Sequence, residues 1–302
     1  MDAYALLLAA TLNAGTVLAL AALGLLINEK AGVVNLGAEG MMLCAALAGY
    51  AAVVHTGNGW AGFAAGMAAG ALLAAVFGVL VIWLDTNQYA TGLALSLLGA
   101  GLSAFAGAGY VQAALPARAG FSIAWLADLP FIGPAFFCQH PLVYGAALLA
   151  LVLRWFFGRT RAGLVLRAVG EAPATAHALG WPVRRIRLAA VVCGGALCGL
   201  AGAYLSIVYT HLWVDGMVAG RGWIALALTA FASWRPVRAL VGAYLFGGVT
   251  MWQLHLQGQG VQVPSHLLSM LPYLATVIVL ALVSRVWIHA NMPSSLGKPL
   301  RL

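Results

Sequence analysis

The feature that most constrains this chain is the recurrence of apolar runs long enough to cross a bilayer. They stand at about 4–27, 32–54, 60–84, 89–110, 140–157, 188–209, 221–233, 239–256 and 267–288. About 20 apolar residues wound as a helix span the hydrocarbon core. Lipid offers no partners to backbone N–H and C=O groups, so a lone spanning run must satisfy them internally, as a helix. Composition agrees: 63% of the 302 residues are hydrophobic and 7% are charged, where a soluble domain carries about a quarter charged residues. The expected fold is therefore all-α and polytopic. It has about 8–10 transmembrane helices in a single domain covering residues 1–302.

The formal net charge of +8 invites a nucleic-acid reading, but its placement speaks against one. Seven of the fifteen Lys and Arg residues fall between Arg154 and Arg187. That is the positive-inside pattern of a cytoplasmic loop, here about 158–187. Alternating outward from it puts Arg235, Arg238, Arg285, Lys298 and Arg301 on the same side. The nearly uncharged links 55–59 and 257–266, and the long loop at about 111–139, fall outside. The expectation is nine crossings, N-terminus out and C-terminus in. The start, Met-Asp-Ala-Tyr, lacks the basic region of a cleavable signal peptide. Cys44, Cys138, Cys193 and Cys198 form no CxxC pair and no zinc spacing.

Two stretches break the apolar pattern. The first is Gly32-Val-Val-Asn-Leu-Gly-Ala-Glu-Gly40. Asn35 and Glu39 would share a face if it were helical, with Glu39 about seven residues inside the membrane. An intramembrane carboxylate is costly and faces a cavity or a partner. Glycines at 32, 37 and 40 suggest a broken helix. The second stretch is Met217-Val-Ala-Gly-Arg-Gly-Trp-Ile-Ala225, with Arg221 between two glycines at the head of the shortest run. Short, glycine-interrupted segments in both halves of a chain point to an inverted repeat around a central pathway. Asn35, Gly37, Glu39, Gly40, Arg221 and Gly222 are the candidate pathway-lining residues, and Glu39 and Arg221 are candidates for an ion pair. In 60–84, Gly62, Gly66, Gly70, Ala74 and Gly78 make a small-residue stripe against which another helix can pack.

Within the basic loop, Pro173 can open a helix, Gly180 can close it in a left-handed cap, and Pro182 bars its resumption. About two turns, Pro173 to Leu179, would be unstable alone in water and suit a protein partner, with Glu171 at the positive end. No GxxxxGK[ST] is present, since Lys298 is followed by Pro299. The histidines make no HxxxH or HExxH, and GxSxG is absent. The chain is expected to be no enzyme and to bind no cofactor or metal.

The run Ala31 to Met42, Leu166-Arg-Ala-Val-Gly-Glu-Ala-Pro173 with Ala176 to Gly180, Gly194 to Tyr204, Ala219 to Ala227, Trp234-Arg-Pro236 and Leu271-Pro-Tyr273 resemble motifs of one family. It is that of bacterial ABC importer permeases of the branched-chain amino acid permease superfamily, most like its nucleoside and simple-sugar branch. The resemblance covers nearly the whole chain. It implies a heterodimer with a second homologous permease, two cytoplasmic ATP-binding subunits that hold the ATP, and an extracytoplasmic solute-binding lipoprotein, all at the inner membrane. It implies that Arg167, Gly170, Glu171, Ala172, Pro173 and Gly180 belong to the element coupling to the ATPase, and that the two broken segments line the pathway. The chain departs from the family pattern in two places. Ala172 stands where the family usually has Asn, and Ala232-Ser233 stands where it often has Phe-Gly.

The function implied is translocation of a small polar solute, a nucleoside or simple sugar, by alternating access. One alternative is branched-chain amino acid cargo in the same system. The other is an ion-coupled secondary carrier in which Glu39 or Asp215 titrates.

Overall fold

The computed structural model describes residues 3–111, 115, 133–259, 270, 274, 277 and 292–300. Ten α-helices order these residues: α1 (Ala3–Lys30), α2 (Ala38–Thr56), α3 (Gly59–Ile82), α4 (Gln88–Gly107), α5 (Pro141–Arg159), α6 (Arg161–Glu171), α7 (Pro173–Ala178), α8 (Val183–Tyr204), α9 (Arg221–Phe231) and α10 (Pro236–Gly258). A 3₁₀ turn, Ala108–Tyr110, extends α4, and a π turn, Leu205–Tyr209, extends α8. The described residues contain no strand, and the protein is an all-α, multi-pass membrane protein.

Six of the described helices are long and apolar enough to cross a membrane: α1, α2, α3, α4, α5 and α8 with its π turn. The 23 residues of α10 reach about 35 Å, but Arg238, Gln253, His255 and Gln257 make it more polar. The 11 residues of α9 reach only about 16 Å. The ninth expected run, 267–288, lies outside the described residues except for positions 270, 274 and 277. So does most of the outer loop 111–139.

Local chemistry explains the helix starts. The Asn58 side chain accepts the Trp60 N–H (3.0 Å), and Asn87 accepts those of Tyr89 (2.9 Å) and Ala90 (3.1 Å). Each satisfies amides that a helix start leaves without partners. Pro141 opens α5 behind His140, whose ring accepts the Leu142 N–H (3.2 Å).

At the centre of the bundle, α8 packs on α1, α2 and α3, while α1 also packs on α9 and α10. The small-residue stripe of α3 performs as its spacing suggests. A methyl on Gly66 would meet Ala203 and the Gly199 carbonyl, and one on Gly70 would meet the Gly195 carbonyl. Backbones thus approach where no side chain fits, the packing that lipid, lacking a strong hydrophobic drive between helices, rewards. The middle of α1, Ala19 to Leu26, is buried throughout, with Gly24 against Gly194 and Leu197 of α8. The outer faces remain apolar because lipid is their solvent: Leu97, Phe105, Leu148 and Leu245 are all exposed.

Two helical boundaries differ from the sequence expectation. The basic loop is mostly helix: α5 runs to Arg159, α6 fills Arg161–Glu171, and α8 starts at Val183. The signal for α6 was in the sequence. Thr160 accepts the Gly163 N–H (3.0 Å) as its cap, and Gly163, Leu166, Val169 and Gly170 bury one face at helical spacing. Nor does a helix begin at residue 32, since residues 31–37 connect α1 to α2 without one.

Candidate functional site

The two interrupted stretches meet. Glu39 is the second residue of α2, and α9 starts at Arg221 beside it. One oxygen of the Glu39 carboxylate accepts the Gly220 N–H and the other accepts the Gly222 N–H, each at 2.7 Å. A helix start exposes unsatisfied amides and the positive end of its dipole, and the residue before α9, Gly220, has no side chain to cap it. Glu39, 8% exposed, supplies one from across the bundle. Gly220 adopts φ +81° to turn the chain into α9, a conformation glycine takes freely. At Gly222 a methyl would lie 2.6 Å from the Glu39 nitrogen and 2.7 Å from its Cα, so only glycine admits this approach.

The joint lies beside the body of α4, one of the helices long and apolar enough to cross a membrane. Gly40 abuts Leu95 and Ser96 of α4, roughly 10–12 Å from that helix's first residue at the helical rise. Ser96 donates to the Leu36 carbonyl (2.7 Å), fastening the non-helical stretch to α4.

Other candidates from the sequence take different parts. Asn35 is not helical and does not share a helix face with Glu39. It is fully buried, and its side-chain oxygen accepts the Gly37 N–H (3.0 Å), holding the turn that leads into α2. The Arg221 guanidinium donates to the carbonyls of Met217 (2.9 Å) and Val218 (3.2 Å) and lies 5.9 Å from the centre of the Tyr209 ring. Glu39 thus engages the amides on either side of Arg221, while the arginine turns back on its own loop. Asp215 is exposed in that loop.

A second carboxylate holds the far end of α9, and the sequence reading passed it over as part of a short link. Glu29, 4% exposed, accepts from the Thr229 hydroxyl (2.7 Å) and the Trp234 indole N–H (2.5 Å). The chain needs that indole because it reverses sharply there, with Ser233 at φ +50° and Trp234 at φ +55°.

The set around α7 is separate. In α7, Pro173 is the first residue, and Ala172 stands before it without a side-chain cap. Gly180, at φ +86°, donates to the His177 carbonyl (2.8 Å), and Trp181 donates to that of Ala176 (3.1 Å). This pair is a Schellman closure. Of the α7 residues only Ala176 is buried, while Leu179 (75%) and Trp181 (45%) are exposed beyond it. Glu171 ends α6 instead of capping α7, and its carboxylate accepts the Ser294 N–H (3.2 Å). Arg167 is exposed and donates to the Phe157 carbonyl (3.3 Å). Gly170 is pressed against the Lys30 carbonyl, at the start of the non-helical stretch.

Residues 292–300 tie these parts together, and nothing in their composition announced it. Ser294 donates its hydroxyl to the Glu171 carbonyl. Ser295 donates its N–H (3.2 Å) and hydroxyl (2.5 Å) to the Gly170 carbonyl. The buried Arg187 donates to Ser295 Oγ (2.8 Å). Gln88 donates to the Lys298 carbonyl (3.2 Å) while accepting the Val34 N–H (2.9 Å). The tail therefore joins the end of α6, the start of α4 and the 31–37 stretch at one end of the bundle. A further polar cluster, also unforeseen, joins Asn13 to Gln139 (2.7 Å) and Tyr204 to Asn13 (2.6 Å) near the other end.

Comparison with known proteins agrees with this architecture. Residues 7–283 match the family described as "Branched-chain amino acid transport system / permease component". The "Putative glucose ABC transporter permease protein" of Haloferax volcanii is 45% identical, covering 96% of this chain and 95% of that protein. The nucleoside ABC transporter permease of Lactococcus lactis is 32% identical over 88% of each chain. The guanosine ABC transporter permease of Bacillus subtilis is 31% identical over 90% of this chain and 89% of its own. No solved structure matches significantly. The chain belongs to the permease-component family of the branched-chain amino acid transport systems, as a multi-pass ABC transporter subunit of the inner membrane that is not itself an enzyme.

Proposed function

We propose that this chain translocates a neutral polar solute, a simple sugar or a nucleoside, by alternating access. It would do so as one of two homologous permeases seated on two ATP-binding subunits and fed by a solute-binding lipoprotein. The named cargoes of the relatives, glucose, nucleoside and guanosine, support the class. The observation that carries it is the α9 start. A half-helix N-terminus inside the membrane is the usual receptor for a substrate carboxylate. Here Glu39 already holds those amides, and its negative charge repels a second carboxylate. That weighs against branched-chain amino acid cargo. The secondary-carrier reading gives way to the family assignment.

For the mechanism, α7 is the element pushed by the ATP-binding subunits. Its capped, exposed turn suits a socket in a partner. Displacement passes through Gly170 and the tail serines to Lys30 and the 31–37 stretch. From there it reaches Glu39 and α9, which Glu29 and Glu39 oblige to move with α1 and α2. In this reading Asn35, Gly37, Glu39, Gly40, Arg221 and Gly222 form the moving joint beside the pathway, and Arg167, Gly170, Glu171, Ala172, Pro173 and Gly180 form the coupling element.

The test is gentle extraction of the tagged chain from native membranes, with wild type and Gly180→Pro compared by mass spectrometry. Recovery of an ATP-binding subunit and a second permease with the wild type, and loss of the ATP-binding subunit alone in the variant, is the expected result. Recovery of the same subunits with both proteins would overturn the coupling assignment. Uptake into cells expressing the complete system then reads the cargo. Competition by unlabelled leucine, with none by glucose or guanosine, would overturn the neutral-solute reading.

A further inference from the structure

At the cytoplasmic end of the bundle, α1, α5, α6 and the α9–α10 turn enclose a cavity of about 510 Å³. Five cationic residues line it: Lys30, Arg154, Arg167, Arg235 and Arg238. No acidic side chain among the described residues does. On the same elements Glu29 holds Thr229 and Trp234 and Glu171 holds Ser294, and two carboxylates leave the five cations in excess. The cavity also receives the start of α10, a 23-residue helix that opens at Pro236 with no side-chain cap. Its positive end adds to the field of the cations. Convergent positive charge beside a low-dielectric interior calls for an anion.

Depth decides which anion. Lys30 is the last residue of α1, Arg154 lies near the end of α5, and Arg238 is the third residue of α10. All stand at helix ends, where lipid headgroups lie. The faces carrying the two arginines continue into the membrane at helical spacing. On α5 they continue as the exposed Leu151, and on α10 as the exposed Val241 and Leu245. A headgroup in the cavity would leave its acyl chains against those side chains. Trp155, 60% exposed, flanks the site as an interfacial aromatic.

We propose that this cavity binds the phosphate-bearing headgroup of an anionic phospholipid from the cytoplasmic leaflet. Basic pockets between transmembrane helices at that face are suited to such headgroups. The lipid bridges Arg167, at the leading edge of the coupling element, to the turn that follows α9, so its occupancy steadies the relation between them.

The experiment uses the full chain with its co-purifying subunits in neutral detergent. The unfolding midpoint is followed during titration with phosphatidylglycerol, phosphatidylcholine or inorganic phosphate. Phosphatidylglycerol is expected to raise the midpoint, and the other two are not. Arg235→Gln with Arg238→Gln is expected to raise the half-saturating lipid concentration roughly 25-fold, about fivefold per cation. Arg184→Gln with Arg185→Gln, basic positions outside the cavity, should leave it unchanged. If the double variant does not fold, Arg154→Gln reads the same effect at about fivefold. An equal lipid response in wild type and variants overturns the proposal. An equal response to inorganic phosphate also overturns it, as the mark of a free-anion site. A variant that loses the ATP-binding subunit while keeping its lipid response overturns it in favour of a protein interface.

Discussion

The helices α9 and α7 are both too short to persist alone in water, yet they are held in opposite ways. Eleven residues of α9 are pinned at one end by Glu39 and at the other by Glu29, both buried and both from elsewhere in the chain. Six residues of α7 bury only Ala176 and close on their own backbone. The first helix is fixed into the bundle, so it moves only when α1 and α2 move. The second is presented outward, with its fit left for a partner to complete. Stability is concentrated at the buried joint, and accessibility at the exposed turn.

The largest expected effect comes from breaking the joint. In Gly222→Ala the added methyl meets the Glu39 backbone at 2.6 and 2.7 Å, and neither helix can yield without losing the carboxylate cap. Overpacking of this kind costs about 1–3 kcal/mol, and the lost cap adds to it. The variant should show a lowered unfolding midpoint and no uptake. Gly180→Ala puts its methyl into open space and bears only the strain of φ +86°, about 1 kcal/mol. If the two midpoints fall equally, the contrast between buried joint and exposed turn is wrong.

Next is Glu39→Gln. A neutral amide offers one acceptor and turns its NH₂ toward the second N–H donor. The loss of a charge-assisted bond is worth about 1.5–3 kcal/mol. Glu29→Gln should cost less, because the Thr229 hydroxyl can turn its one proton to the Leu226 carbonyl (2.7 Å) and accept from the new amide. Chemical denaturation of the purified variants ranks them, and a larger loss in Glu29→Gln would show that α9 is anchored chiefly at its cytoplasmic end. For α7 the expectation reverses. Leu179→Asp, at a residue 75% exposed, should change stability by less than about 0.5 kcal/mol while abolishing recovery of the ATP-binding subunit. A fall in midpoint with the partner retained would mean that Leu179 packs within the chain.

The sequence made the apolar runs legible because membrane helices declare themselves by length alone. Gly180 as a left-handed cap and the small-residue stripe of α3 were legible for the same local reason. The meeting of Glu39 with Gly220 and Gly222 was half legible. Both breaks stood out, but opposite charges suggested a side-chain pair, and backbone amides carry no sequence signature as acceptors' partners. Glu29 was missed because its partners, Thr229 and Trp234, lie some 200 positions away. The tail contacts were missed because Ser294 and Ser295 bind backbone carbonyls, which any sequence offers.

The smallest effects concern the two departures from the family pattern, and the geometry gives both the same sign. Ala172 precedes α7 with no side-chain cap. Asparagine there, the residue usual in the family, can accept an N–H of the first turn, worth about 1 kcal/mol. Ser233 sits at φ +50° with its buried hydroxyl lacking a hydrogen-bond partner among the described residues. Glycine there relieves the backbone strain and removes the orphan hydroxyl, offset in part by the entropy glycine adds to the unfolded chain. Ala172→Asn should strengthen recovery of the ATP-binding subunit with little change in midpoint, because an ordered α7 costs less to seat. Ser233→Gly should raise the midpoint without altering recovery, because the α9–α10 turn belongs to the bundle. If each variant moved the other's readout instead, α7 would be part of the anchored core and the turn part of the docking face, and the division between the two short helices would be inverted.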